Sequence, residues 1–259
     1  MTEAPPALAT AQPVRLAEGA LRDLALAVQH EWLVTNGLGG YASGTVLGLD
    51  TRRYHGLLVA ALPPARRTLL LARVHEDLAV GDARVSLAAA EFHDGTIAPD
   101  GHRWLAAFDL VGALPRWRYR WAGCELEKLV WMEHGANVTY VRYRLGEGDR
   151  PVELTLQVFV AHRDHHHHTR GDAQWHAALK VDGDRCVVRM LPTGTPLALR
   201  LAGGRFVEEC FWYWRFLHRV ERARGLDAEE DLYTPGRFVV TLGRLSSGSA
   251  RERAPSCGA

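Results

Sequence analysis

Residues 116–160, RWRYRWAGCELEKLVWMEHGANVTYVRYRLGEGDRPVELTLQVFV, decide the fold. Four of their segments alternate polar with apolar or aromatic residues, namely 116–121, 125–131, 138–145 and 152–160. Such alternation is typical of strands that bury one face, because successive side chains of a strand point to opposite faces. The stretch therefore predicts an antiparallel meander. The short, glycine-containing connection 146–149 predicts a hairpin between the last two strands.

The rest of the chain extends this pattern of strands. Further strands are expected at 177–181, 186–191, 197–201 and 237–242. Residues 16–30 permit a short amphipathic helix with Leu21, Leu24 and Val28 on one face, unless strand pairing overrides it. No long helical period competes with the strands, so the predicted fold class is all-β, a sandwich of mainly antiparallel strands.

Composition excludes several classes of function. The 259 residues carry a formal net charge of +1, which gives no long-range field to attract nucleic acid or an anionic membrane surface. No apolar run approaches the ~20 residues that a membrane-spanning helix needs. The start has no basic region followed by an apolar one, so we expect a cytoplasmic protein. The four cysteines are widely spaced, which argues against a zinc knuckle or a disulfide framework.

The composition also suggests how the chain is divided. Residues 1–15 are rich in Ala, Pro and Thr and are expected to form a loose leader, followed by one domain over 16–244. Residues 245–259 are rich in Ser, Arg and Ala and show no periodic pattern of apolar residues. We expect them to be a disordered tail or the product of a frameshift.

Two motifs near the start carry candidate chemistry. The glycines of NGLGG at 36–40 resemble an anion-binding nest, but a strand follows, so a structural turn is the interpretation adopted. In TRRYHG at 51–56, an extended chain would place Arg52 and Tyr54 on one side and Arg53 and His55 on the other. These side chains either form ion pairs or line a wet cavity.

Three further segments allow two interpretations each. The tract HRDHHHH at 162–168 permits transition-metal binding, but a loop held by Arg-Asp-His hydrogen bonds is adopted, with no metal and no cofactor. The aromatic segment FWYWRF at 211–216 suits either sugar stacking or core packing, and packing is adopted. The acidic residues between 227 and 231 are interpreted as a solvated face.

Taken together, several motifs resemble the amino-terminal domain of bacterial and archaeal glycogen debranching enzymes, which are amylo-α-1,6-glucosidases. The two most specific are EWLVTNGLGGYASGT at 31–45 and TRRYHGLLVAA at 51–61. Shorter ones follow along the chain: Arg163-Asp164 with the histidines after it, Trp212-Tyr213, Gly225-Leu226-Asp227, and EDLYTPG at 230–236. The resemblance covers roughly residues 31–242. The run of four histidines at 165–168 departs from the family pattern.

The resemblance implies a β-supersandwich related to the galactose-mutarotase fold. In the family this domain precedes a catalytic (α/α)6 toroid, which we expect to be absent from this chain and to be its partner in cis or in trans. The expected function is therefore non-catalytic: recognition of an α-glucan (glycogen or a maltooligosaccharide) and packing against the toroid. The alternatives are a mutarotase-like enzyme using His55 or His166 with a glutamate, and a glycan-binding module without chemistry.

By the same resemblance, nine residues are candidates for the face toward glucan or toroid, and a purely structural role at a domain interface is equally open. They are Trp32, Asn36, Arg52, Arg53, Tyr54, His55, Arg163, Asp164 and His165.

Overall fold

The computed structural model describes residues 14–146 and 150–243. The described strands are β1 Arg15–Ala17, β2 Glu31–Thr35, β3 Tyr41–Thr45, β4 Gly56–Leu62, β5 Arg66–Val80, β6 Ala83–Ser86, β7 Ala89–Glu91, β8 Ile97–Asp100, β9 Leu105–Val111, β10 Leu114–Trp121, β11 Cys124–Met132, β12 Thr139–Leu145, β13 Val152–Asp164, β14 Ala178–Asp182, β15 Arg185–Arg189, β16 Leu197–Arg200, β17 Arg205–Leu217 and β18 Glu229–Leu242. The helices are short: α1 Glu18–Arg22, α2 Leu24–Ala27, α3 Arg219–Ala223 and a 3-10 turn at Gly101–Trp104.

Two antiparallel sheets dominate the domain. The smaller has five strands in the order β1-β9-β10-β11-β12. The larger has eight, in the order β17-β18-β13-β5-β4-β3-β2 with β6 paired to β5. A three-stranded sheet, β14-β15-β16, and the pair β7-β8 complete the structure over the described residues. The predicted all-β sandwich of antiparallel strands is therefore confirmed.

The main core lies between the two large sheets and is supplied by the alternation seen in the sequence. Trp117, Tyr119 and Trp121 of β10 are buried, while the arginines between them are not. The indole of Trp117 donates to the carbonyl of Val46 at 2.9 Å, so its polar atom is satisfied inside the core. Trp32 of β2 packs edge-on against Trp117, with ring centroids 5.2 Å apart.

One local prediction was wrong and one was correct only in part. The meander is correct for β10 to β12, but β12 and β13 do not form a hairpin, because β13 pairs with β5 and β18 in the other sheet. The chain crosses between sheets there, and residues 147–149 lie outside the described part. The predicted helix at 16–30 is split at Asp23, whose carboxylate caps the second piece by accepting from Ala25 and Leu26 N–H.

The terminal segments stay largely untested. Arg15, the last residue of the predicted leader, pairs with Asp109 as part of β1. Residues 1–13 and 244–259 lie outside the described part, and the expectations of a leader and a tail with them. Over residues 14–146 and 150–243, no helix has the length and apolar character required to cross a membrane.

Candidate functional site

The glycine-rich turn between β2 and β3 is built around the side chain of Asn36. Its Oδ1 accepts hydrogen bonds from the N–H groups of Leu38 and Gly40, at 2.9 and 3.0 Å. Its Nδ2 donates to the carbonyl of Ala136 and to Oδ1 of Asn137, both at 3.0 Å. A primary amide has two donor hydrogens and two acceptor sites, so all of them are used. The predicted structural turn is confirmed, and Asn36 joins it to the loop between β11 and β12.

Residues 51–55 form a turn, not the extended chain considered for them, because His55 N–H donates to the carbonyl of Arg52 at 3.1 Å. Nδ1 of His55 accepts from Thr51 N–H at 3.1 Å, so Nε2 carries the proton and faces Oε1 of Glu31 at 3.4 Å. Arg52 donates to the same oxygen at 2.6 Å. The imidazole and the guanidinium together lower the pKa of Glu31 to about 2.

Arg53 joins this turn to two other segments. Its guanidinium donates to the carbonyl of His166 at 2.7 Å and to the carbonyl of Asp227 at 3.3 Å. It also pairs with the carboxylate of Glu221, which is completely buried and has a second partner in Arg224. Of the two possibilities left open for the motif, ion pairing is the one observed.

Arg163 and Glu230 form a buried ion pair at the centre of the cluster. The guanidinium donates to both carboxylate oxygens of Glu230, from Nε to Oε1 and from Nη2 to Oε2 at 2.9 Å. Nη2 also donates to the carbonyl of Arg53 at 2.8 Å. Glu230 additionally accepts from Thr169 N–H at 3.0 Å. The pair therefore holds together the turn at 51–55, the loop after β13 and the start of β18.

The histidine loop after β13 lies against Tyr54. The Tyr54 hydroxyl is 3.2 Å from Nδ1 of His166, and its ring centroid is 5.6 Å from those of both His165 and His166. Asp164 accepts from His166 N–H at 2.9 Å, and this bond lowers the pKa of its carboxyl. The arrangement is a tight turn with two imidazoles and a phenol side by side.

His168 and His218 stack inside the cluster. Nε2 of His168 and Nδ1 of His218 are 3.0 Å apart, and the rings are nearly parallel. Nε2 of His218 lies 3.7 Å from Glu230. Burial keeps the pKa of His218 well below its usual value, and the charges of His168 and Arg163 act in the same direction. His218 is therefore neutral at pH 7.

We expect acid pH to destabilise the protein before its carboxylates are protonated. The pKa of His75 is also held well below the usual value, first by burial and then by Arg73 and Lys128. When the folded-state pKa is depressed, the unfolded chain takes up protons that the native state refuses. The part of the free energy of unfolding that depends on these two neutral histidines is therefore fully present above the ordinary histidine pKa of about 6.5. It falls as the pH drops below that value.

The measurement is the urea midpoint at pH 7.5 and pH 5.5. The variant His75→Leu should show a smaller loss between the two pH values, because leucine takes up no proton when the chain unfolds. The Nε2 atom of His75 is buried without a hydrogen-bond partner among the described residues, so the substitution removes no hydrogen bond at that atom. An unchanged midpoint over this range in the wild-type protein would contradict the assignment of neutral buried histidines.

The acidic segment 227–231 is not the solvated face that was predicted. Asp227 is exposed, but Glu230 and Asp231 are buried. Asp231 accepts from Gly171 N–H at 2.9 Å and from Arg215 N–H at 2.8 Å. Charge runs are usually solvated because burial of an unpaired charge is costly, and here ion pairs and backbone donors remove that cost.

The structure brings together five of the nine candidates from the sequence: Arg53, Tyr54, Arg163, Asp164 and His165. Arg52 and His55 lie on the same turn and meet at Glu31. Asn36 lies at another turn, and Trp32 is buried between the large sheets. Their roles toward a glucan stay predictions.

Beside the cluster lies an open groove of about 220 Å³ with an aromatic floor. The indoles of Trp175 and Trp212 have centroids 5.8 Å apart. The residues lining the groove are His162, Thr169, Arg170, Asp172, Trp175, Met190, Leu191 and Trp212.

Aromatic packing is only part of the role of segment 211–216, because Phe216 is buried whereas Phe211 and Trp214 are exposed. Shifts in the β17–β18 register and the positive φ of Arg215 break the alternation.

Sequence reasoning missed several residues of the site. Glu221 sits on α3, whose sequence RVERA has the composition of a solvated helix, and only the position of Arg53 reveals that its carboxylate is buried. His218 and Trp175 carry no local signal, since each stands alone in its segment. Asn137 was detectable only as the partner of Asn36, 101 residues away.

The fold and this cluster define an antiparallel β-sandwich domain whose ion pairs tie distant loops together. The family model described as glycogen debranching enzyme N terminal matches residues 30–247. The chain therefore belongs to the glycogen debranching enzyme N-terminal family. None of the curated proteins compared with the chain matches it.

Proposed function

We propose that this domain is the non-catalytic part of a glycogen debranching enzyme, which binds the α-glucan and packs against a catalytic (α/α)6 domain in cis or in trans. Family membership supports the assignment to a glycogen debranching enzyme, since the matched region is the N-terminal domain of such an enzyme. The groove beside the buried ion-pair cluster is the observation that supports binding of the α-glucan.

The groove has the chemistry that a pyranose ring requires. The C–H faces of a glucose unit are apolar and suit the indole surfaces of Trp175 and Trp212. Its hydroxyl groups need donors and acceptors, which Arg170 and Asp172 provide at the wall. The wall is rigid, because Thr169 and the residues after it are bonded to the buried acids of β18. A rigid site reduces the entropy lost when an oligosaccharide binds.

Four acids of this region, Glu221, Asp227, Glu230 and Asp231, are unsuited to hydrolysis. An inverting glycosidase needs two carboxyl groups about 6.5–9.5 Å apart on opposite sides of the scissile bond, with a water between. Glu221 and Glu230 are buried and form ion pairs with arginines, and Asp231 accepts hydrogen bonds from backbone N–H groups. Asp227 is exposed but is bound by Arg170 at 2.6 Å. This supports a binding role.

A mutarotase-like role receives no support from the two histidines considered for it. His55 faces Glu31, whose pKa of about 2 makes it a poor base at neutral pH. His166 is exposed, and its hydrogen-bond partner is the Tyr54 hydroxyl. Within residues 14–146 and 150–243, neither histidine forms an acid-base couple with a glutamate across a sugar-sized space.

For the catalytic domain we propose the surface formed by the turn at 36–40 and the loop between β11 and β12. Asn36 holds these two segments together. Leu38 on the turn, Val138 on the loop and Tyr140 at the start of β12 are exposed apolar side chains. Exposed apolar side chains on segments that are held together are typical of a docking surface.

The test of glucan binding is affinity electrophoresis of the chain in native gels that contain glycogen. We expect retardation of the wild-type chain and at least a tenfold weaker apparent affinity for Trp175→Ala, since the variant loses one stacking surface. The matched control is Trp104→Ala, because Trp104 is a tryptophan on the 3-10 turn and outside the groove; it is exposed, whereas Trp175 is half-buried. Equal retardation of the two variants would overturn the placement of the glucan in this groove.

A further inference from the structure

The loop after β13 gathers three metal-ligating side chains. Asp164, His165 and His166 each present a ligand atom, and these atoms all lie within 4.8 Å of one another. We propose that this cluster binds one divalent transition-metal ion of the zinc type. The site is separate from the aromatic groove, and the inference goes beyond glucan binding.

The backbone of the loop is fixed in the conformation that brings the ligands together. His165 N–H donates to the carbonyl of Arg67 at 3.0 Å, and His166 N–H donates to Oδ1 of Asp164 at 2.9 Å. The carbonyl of His166 accepts from Arg53 at 2.7 Å. A run of histidines in a mobile segment would have to lose entropy before it could chelate an ion, whereas this loop is already ordered.

Both imidazoles have an outer partner on one nitrogen, which leaves the other for a metal. Nδ1 of His165 lies 3.2 Å from the carbonyl of Arg67, and Nδ1 of His166 lies 3.2 Å from the hydroxyl of Tyr54. A carbonyl only accepts, so His165 carries its proton on Nδ1 and its lone pair on Nε2. Metal-binding histidines show this pattern, in which the second nitrogen donates to a backbone or side-chain oxygen and so orients the ring.

The donor set and its charge favour a transition metal over calcium or magnesium. Two imidazole nitrogens and one carboxylate suit zinc, nickel or copper, whereas the hard cations prefer oxygen ligands alone. His166 is exposed, which leaves a path for the ion and room for water as a fourth ligand.

Isothermal titration of the tag-free, metal-stripped 259-residue chain with zinc chloride tests the proposal. We expect one ion per chain, and at least a tenfold weaker affinity in each of His165→Gln and His166→Gln. The matched control is His167→Gln, because the side chain of this exposed neighbour is not among the clustered ligands. Its affinity should equal that of the wild-type chain.

Two results would overturn the site. One is the absence of zinc binding at 100-fold excess of zinc over the chain. The other is an equal loss of affinity in His167→Gln and His165→Gln. This result would show that zinc binds to the run of histidines in general and not to the three clustered side chains. Thermal unfolding of each variant without zinc checks that the substitutions leave the fold intact, and zinc should raise the melting temperature of the wild-type chain and of His167→Gln only.

Discussion

Replacement of Arg163 by methionine is expected to lower the free energy of unfolding by about 3–5 kcal/mol, the cost of leaving a buried carboxylate without its counter-ion. The side chains of Arg163 and Glu230 are only 6% and 2% exposed, so water cannot solvate the carboxylate that remains. The substitution also removes the bond to the carbonyl of Arg53, which fixes the turn at 51–55. The measurement is urea unfolding followed by tryptophan fluorescence.

Two further variants separate this effect from a general sensitivity to substitution. In Arg170→Met the lost ion pair with Asp227 is 55% and 56% exposed, so we expect a change below about 1 kcal/mol. The double variant Arg163→Met with Glu230→Gln removes the buried charge as well and should recover part of the loss. A single variant as stable as the wild-type chain would contradict a structural role for this motif residue.

Replacement of Asn36 by alanine should cost about 3 kcal/mol, because each buried backbone group that loses its partner costs about 1–3 kcal/mol. Three backbone groups are affected: the N–H of Gly40, whose bond is buried, and the N–H of Leu38 and the carbonyl of Ala136, whose bonds are part-buried and cost less each. Asn137 would also lose one of its partners. The expected result is a lower urea midpoint, with no change in the slope of the free energy of unfolding against urea concentration.

Gln29→Ala is the matched control for this prediction. Gln29 also uses its amide to bond a backbone carbonyl, that of Ala25 at 2.9 Å, but the bond is exposed. Surface changes of this kind usually stay within about 0.5 kcal/mol. If Asn36→Ala and Gln29→Ala had the same small effect, the turn at 36–40 would not depend on the hydrogen bonds of Asn36.

Local alternation was sufficient to predict the fold class, but not all of the pairing. The strands β10 to β12 pair with their sequence neighbours, so the pattern that predicts each strand also predicts its partner. β13 has the same alternation, yet it pairs with β5 and β18, each more than 60 residues distant. Alternation shows which face of a strand is buried and carries no information on which sheet the strand joins.

The site could be predicted only where an unusual polar segment marked it. Arg53 stood out because charged residues beside an apolar strand need partners. Arg163 and Asp164 were marked by the histidine tract and by the resemblance to the debranching-enzyme domain. Their partners Glu221 and Glu230 resembled ordinary surface acids, and burial is decided by contacts with residues far along the chain. Trp175 in the groove gave no signal, since its neighbours in sequence are polar and exposed.

The positions of the motif residues bear on the two roles left open for them. Trp32, Asn36 and Arg163 are buried and their contacts are internal, which favours a structural role. Tyr54, Asp164 and His165 are partly exposed and remain accessible to a ligand or a partner. We infer that the motif residues hold in place the loops that shape the proposed binding surface.

The most direct test of a binding domain without hydrolytic activity uses one preparation of the purified chain in two assays. The chain is run in a native gel containing glycogen, and it is incubated with a phosphorylase-trimmed limit dextrin while free glucose is measured. We predict clear retardation in the gel and no release of glucose above the protein-free control. Glucose release that increases in proportion to the amount of chain, or mobility unaffected by glycogen, would contradict the account.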